Sequence, residues 1–253
     1  MKLNKKTGNV LKALLLLVLL SGSIGFVEKK AEGTTVNNIF VEIDKAYDNY
    51  FVEEADVHAL IQNGEGQLNT GVSLENVKLK DLEAQIRTHD FVKDAQVYKD
   101  LKGNLVIRVQ QNRPLARLMR ADGPDAYISA DGELLPVSAR FTARVPVITG
   151  SGVTELIVKK LDTETGKELV DMLSYIDRDP FWVAQVAGLE IDREGEMILY
   201  PQVTKQIVEF GTAAGYRQKL KKLRIFYKDV LPRKGWNHYE RVSLKYENQI
   251  VCE

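Results

Sequence analysis

The residue types that build active centres are sparse in this chain and stand apart. The three histidines, His58, His89 and His238, are far from one another, and the single cysteine is Cys252. One cysteine forms no internal disulfide and no cysteine-based metal site. The chain has no HExxH metal-binding helix, no GxSxG nucleophile turn and no P-loop. Its 35 Asp and Glu residues offer carboxylate pairs of the kind a glycosidase uses, yet no spacing singles one out. No catalytic, cofactor-binding or metal-binding residue is therefore expected. His58 and His89 are expected on the polar faces or at the ends of helices, and Cys252 as an inert strand residue.

Lys and Arg also total 35, so the 253-residue chain carries no net charge. A general nucleic-acid binder needs a basic excess to release counterions, and that class is excluded. One basic stretch stands out, over Tyr216 to Leu231, with Arg217, Lys219, Lys221, Lys222, Arg224 and Lys228. It reads either as a solvated helix face or as a surface that attracts anionic lipid or an acidic partner. Trp182 and Trp236 are expected as core or packing anchors.

These residues need a scaffold, and the first element in the chain is apolar. Lys2, Lys5, Lys6 and Lys12 accompany an unbroken run from Ala13 to Leu20, and softer residues continue to Val27. As a helix, residues 10–27 are about 27 Å long, against a hydrocarbon core of roughly 30 Å. Lys12 can snorkel to the near interface. A cleaved signal peptide is the competing reading, with Ser21-Gly22-Ser23 as the nearest small-x-small site, but cleavage there leaves a very short apolar core. A buried soluble helix is the third. The residues favour an uncleaved anchor over 10–27, a cytoplasmic tail over 1–9, and an extracytoplasmic body.

The body divides by texture. Val36 to Ile43 reads as a strand, Glu53 to Gln62 as a helix, and Leu79, Leu82 and Ile86 mark a second helix. Strands follow over Phe91 to Tyr98 and Leu105 to Gln110, joined by a Lys102-Gly103-Asn104 turn and stopped near Arg113-Pro114. Two helices on one face of a three-stranded sheet would bury those apolar stripes. After Pro114 come a short strand, a hairpin turning at Asp131-Gly132, and a short apolar segment Val145 to Gly150. A helix over Thr165 to Tyr175 buries Leu169, Met172, Leu173 and Ile176. A hairpin turns at Arg193 to Glu196, and a strand runs from Ile207 to Gly211. The basic helix comes next, and a last strand is expected over Arg241 to Val251.

This order resembles the FtsQ/DivIB family of bacterial cell-division proteins over essentially the whole chain. The telling stretch is Ile86 to Arg117, in which Phe91, Val92, Ala95, Val97, Leu105, Ile107, Val109, Pro114 and Ala116 fall in the family's register. Four blocks follow in order: Tyr127 to Pro136, Val145 to Gly150, Val208 to Leu223 and Glu240 to Val251. There are departures. Asn112 stands where the family often has an acidic residue or Arg, Ser129 and Ala130 where Asp is common, and Ser243 and Lys245 where Asp and Arg are frequent.

The resemblance implies an α+β chain. Its expected parts are one N-terminal transmembrane helix, a POTRA-like domain over 36–113 (strand-helix-helix-strand-strand), and a mixed α/β domain over 114–253. The second domain would be dominated by an antiparallel sheet with a C-terminal edge strand. The implied role is a non-enzymatic divisome scaffold at the septum of the inner membrane, holding FtsB/FtsL-like single-pass coiled-coil proteins and meeting other divisome members, with no nucleic acid. Partner capture would be strand addition along Val242, Ser243, Leu244, Lys245 and Tyr246, with Val242, Leu244 and Tyr246 on one side of the pleat. Two other classes stay open: a POTRA-bearing envelope-assembly or secretion component that handles unfolded strands, and an envelope hydrolase.

Overall fold

The computed structural model describes residues 16–17, 35–45, 49–63, 70–159 and 161–253. The expected tail over 1–9 and anchor over 10–27 lie outside the described residues, apart from Leu16 and Leu17, which are helical. Among the described residues no helix is long and apolar enough to cross a membrane. The chain divides into two compact units, residues 1–44 with 52–110, and residues 45–51 with 111–253.

The first unit follows the expected strand-helix-helix-strand-strand order. Strand β1 (Ile39–Ile43) is followed by helices α1 (Glu54–Asn63) and α2 (Leu79–Ile86), then strands β2 (Val92–Lys99) and β3 (Leu105–Gln111). The sheet order is β1-β3-β2, with β1 parallel to β3 from Ile39↔Leu105 to Ile43↔Val109. The Asp56 carboxylate accepts from the Glu53 N–H at 2.9 Å and steadies the start of α1. Val57 and Ile61 of α1 and Leu82 and Ile86 of α2 are buried, as are Leu105, Ile107 and Val109 of β3. The Glu83 carboxylate accepts from the Val97 N–H at 2.9 Å and ties α2 to β2.

The second unit is one nine-stranded sheet with helices on one face. Its strands are β4 (Pro114–Leu118), β5 (Ala126–Ser129), β6 (Leu134–Pro136), β7 (Val147–Thr149), β8 (Val186–Ile191), β9 (Met197–Pro201), β10 (Ile207–Gly211), β11 (Arg241–Ser243) and β12 (Val251–Cys252). They lie in the order β12-β11-β10-β9-β8-β7-β4-β5-β6. Antiparallel pairing holds β6-β5-β4, β8-β9-β10 and β11-β12. Parallel pairing holds β4-β7-β8 and β10-β11. The sheet is thus mixed, and two of its parallel pairings follow from helices. Parallel neighbours need a crossover. Helices α3 (Val153–Val158), α4 (Glu164–Asp177) and α5 (Pro180–Gln185) supply one between β7 and β8. Helix α6 (Tyr216–Ile225), a π-helical stretch Phe226–Val230 and helix α7 (Leu231–Lys234) supply the other, between β10 and β11.

The core forms where alternate strand residues meet those helices. Leu118, Ile148, Leu189, Ile191, Met197, Leu199, Val208, Phe210 and Val242 pack with Leu169, Met172, Leu173 and Ile176 of α4, Trp182 of α5, and Leu220 and Leu223 of α6. Burying one such side chain contributes about 1.5–3 kcal/mol. The intervening positions Glu190, Tyr200 and Arg241 are exposed and Glu209 is half-buried, so the opposite face is polar across β8 to β11. Pro232 lacks the N–H that would bond the Lys228 carbonyl, which accounts for the π-helical break just before it. That wider turn brings both Phe226 and Tyr227 into the core. Gly150 has φ +107°, and a Cβ there would lie 2.2 Å from the Ile191 carbonyl oxygen, so any side chain forces β7 and β8 apart.

Candidate functional site

The C-terminal segment is not one strand. Strand β11 ends at Ser243, the chain turns over Lys245 to Gln249, and β12 returns antiparallel to it in the register Val242↔Cys252 and Ser243↔Val251. On its other side β11 runs parallel to β10, in the register Ile207↔Arg241 to Glu209↔Ser243. The expectation of a continuous edge strand over Arg241 to Val251 is corrected: β11 has neighbours on both sides, and the strand at the edge is β12.

The five residues expected to meet a partner therefore fall in two environments. Val242, Ser243 and Leu244 are buried, with Val242 and Leu244 in the hydrophobic core. The Leu244 N–H donates to the Glu209 carbonyl at 2.9 Å, one step beyond the assigned strand. Lys245 and Tyr246 belong to the turn, and Tyr246 is 53% exposed. The Lys245 ammonium pairs with Glu196 of the β8–β9 turn, and this hydrogen bond raises its pKa above the usual lysine value. Arg241 pairs with Glu209 across β10 and β11, and that hydrogen bond holds the Glu209 carboxyl below its ordinary range.

The sequence pattern missed β12. The available signal was the polar run Lys245, Glu247, Asn248 and Gln249, which breaks the alternation a strand needs. Ile250 and Cys252 pack partly against the core, while Val251, on the other side of the pleat, is 37% exposed. Burial raises the pKa of the Cys252 thiol.

Hydrogen-bond phase decides which backbone groups of β12 face outward. Arg241 and Glu253 exchange both bonds, at 3.2 and 3.0 Å. In an antiparallel pair the next residue points its N–H and C=O the other way. Cys252 therefore directs both groups away from β11. The far edge of the sheet, β6, is built differently. There Ser129 donates to Glu133 at 2.8 Å, and the register Ile128↔Leu134, Tyr127↔Leu135 and Ala126↔Pro136 puts Leu134 and Pro136 at the outward-facing positions. Proline has no N–H to offer.

The basic helix is engaged largely within its own unit. The Arg217 guanidinium lies 5.5 Å from the Tyr175 ring. Lys219 donates to the Thr212 carbonyl at 2.8 Å and sits 5.3 Å from the Phe210 ring, and burial lowers its pKa. Arg224 pairs with Asp179, the N-cap of α5, and covers the Phe181 ring at 4.7 Å. Lys222 reaches the carbonyls of the turn before β12. Arg217, Lys221 and Lys228 are exposed, as a solvated face requires, while Lys219, Lys222 and Arg224 are half-buried and bonded within the unit. Trp182 is buried as expected, whereas Trp236 is 42% exposed and only its carbonyl is engaged, by Gln206 at 3.2 Å.

The residues that could ligate a metal are not gathered. The His89 ring accepts from the Phe91 N–H at 3.2 Å, and the exposed His238 stacks edge-on against Tyr239 at 4.7 Å. Among the described residues no group of three or more His, Cys, Asp or Glu could hold a metal ion.

Two family comparisons match this chain. Residues 113–253 match the family described as FtsQ/DivIB, C-terminal related, and residues 34–110 match the POTRA-like domain. No curated protein matches.

Proposed function

The chain belongs to the FtsQ/DivIB family, and from that premise we propose that it is a non-catalytic, bitopic scaffold of the bacterial division machinery. Residues 10–27 anchor it in the cytoplasmic membrane with the body outside. The POTRA-like domain recruits it near the membrane, and the nine-stranded sheet holds FtsB/FtsL-type coiled-coil partners. In this way it couples assembly of the division site to septal peptidoglycan synthesis. Capture proceeds by β-augmentation: a partner strand pairs along β12, main-chain bonds give affinity, and the side chains around the edge give specificity. Confinement to the membrane plane raises the effective concentration of anchored partners.

The observation that carries this reading is the outward N–H and C=O of Cys252 on the strand that ends the sheet. An unprotected edge invites another chain. The test is affinity purification of the full chain from membranes. Cys252→Pro removes the outward donor without touching the Arg241–Glu253 bonds. It should cut recovery of small single-pass coiled-coil proteins at least tenfold. Pro136→Thr, which adds a second outward donor to the opposite edge, should leave recovery unchanged. Full recovery with Cys252→Pro would move the partner site away from β12. Recovery of envelope-assembly factors and no division protein would favour the envelope-assembly role.

A further inference from the structure

The turn that returns β12 to the sheet is gathered around one side chain from a distant element. Lys222 of α6 donates from Nζ to three backbone carbonyls, those of Leu244 at 3.4 Å, Gln249 at 3.3 Å, and Tyr246. The three carbonyls bracket the whole reversal between β11 and β12. An ammonium has three N–H donors and no acceptor, so three converging carbonyls match its full donor set. Carbonyl oxygens aimed at one point repel each other, and a positive charge at that point turns the repulsion into attraction. A charged donor also makes stronger hydrogen bonds than a neutral one. A planar guanidinium fork does not converge on three oxygens in this way.

We infer that Lys222 is the positioning residue of the C-terminal edge. Its ammonium holds the Leu244–Gln249 turn closed, keeps β12 on β11, and so decides which strand a partner meets. With the latch removed, β12 leaves the sheet and the longer-buried β11 becomes the edge. The latch stands on its own geometry, while its meaning for partner capture rests on the edge reading of the preceding section.

The experiment is hydrogen exchange on the full chain in detergent, paired with capture of partners from membranes. Lys222→Met should speed exchange of the Arg241 and Glu253 amides about tenfold, the loss expected when charged hydrogen bonds of this kind are removed. Amides of α4 should not change. Lys221→Met, the same charge change on an exposed neighbour, should leave the edge protected. Capture should fall with Lys222→Met. Unchanged exchange at Arg241 and Glu253 overturns the latch.

A second variant serves if Lys222→Met does not fold. In Lys222→Cys with Cys252→Ser, alkylation by 2-bromoethylamine restores an ammonium, whereas methyl methanethiosulfonate leaves a neutral methyl disulfide. Protection restored only by the ammonium supports the inference. Equal protection from both adducts shows that packing alone is at work and overturns it. Fast exchange with undiminished capture leaves the latch in place and overturns the assignment of the partner site to β12.

Discussion

The two ends of the nine-stranded sheet meet the same hazard with different chemistry. Both β6 and β12 are short, two or three residues, and both turn alternate backbone groups away from the sheet. On β6 the outward positions are Leu134, which keeps its N–H, and the terminal Pro136, which has none. On β12 the outward position is Cys252, which keeps its N–H. The β12 edge is also held from behind, by Lys222 on its turn and by ion pairs at Arg241 and Lys245. One edge is stopped by proline after a single outward donor, and the other is braced from behind. Bracing an open edge is the arrangement expected where a strand is to be added.

The largest effect should come from emptying the seat of each edge in turn. Leu244 and Leu135 are both buried, at 1% and 4% exposure. Replacing either by Ala should cost about 2–5 kcal/mol in urea denaturation, from lost transfer energy and the cavity left behind. The two should then diverge. Leu244→Ala should abolish partner capture by the molecules that remain folded, because β11 and β12 lose their support. Leu135→Ala should leave capture per folded molecule intact. Equal loss of capture would mean that the two edges do not differ in role.

A smaller effect is set by pH. Arg241 donates to Glu209, and that bond depresses the Glu209 carboxyl below its ordinary value of 4.5. A depressed carboxyl lends its stability above the ordinary value and loses it as the pH falls through the depressed one. Arg241 is half-exposed, so solvent screens the pair and the contribution is small. Acidifying from pH 6 to pH 3 should therefore lower the protection of the β11 and β12 amides, taken relative to their intrinsic exchange rates, in the native chain. Glu209→Gln should flatten most of that response. The β6 edge carries no comparable pair among the ion pairs described above, and its exchange should follow global stability alone.

Much of this frame was readable in advance, and the unread parts share a cause. The hairpin at Asp131-Gly132 and the stripe Leu169, Met172, Leu173 and Ile176 follow from turn chemistry and helical period, both local properties. Helices α3 and α5 are six residues each, too short to show a period. The parallel pairing of β7 with β8 depends on the crossover those helices help to build. The break after β11 was missed for a longer-range reason. The turn is gathered by Lys222, more than twenty residues earlier in the chain. No pattern within residues 241–251 records that cation. The internal bonds of the basic helix were unreadable for the same reason, because the partners of Lys219, Lys222 and Arg224 lie on other elements.

Tyr246 gives the smallest stability effect and the sharpest reading of specificity. It sits in the turn at 53% exposure, and its carbonyl, not its ring, is held by Lys222. Tyr246→Glu keeps that carbonyl and should shift stability by no more than about 0.5 kcal/mol, as surface substitutions do. If an added strand runs along β12, its end passes this turn, and a charge in place of the ring should weaken capture several-fold. The neighbouring Lys245→Met removes the Glu196 ion pair and should act in the same direction, since it loosens the turn as well as changing the charge. Capture that ignores Tyr246→Glu yet fails with Cys252→Pro would confine recognition to main-chain pairing on β12. Specificity would then come from side chains beyond the five expected from the sequence.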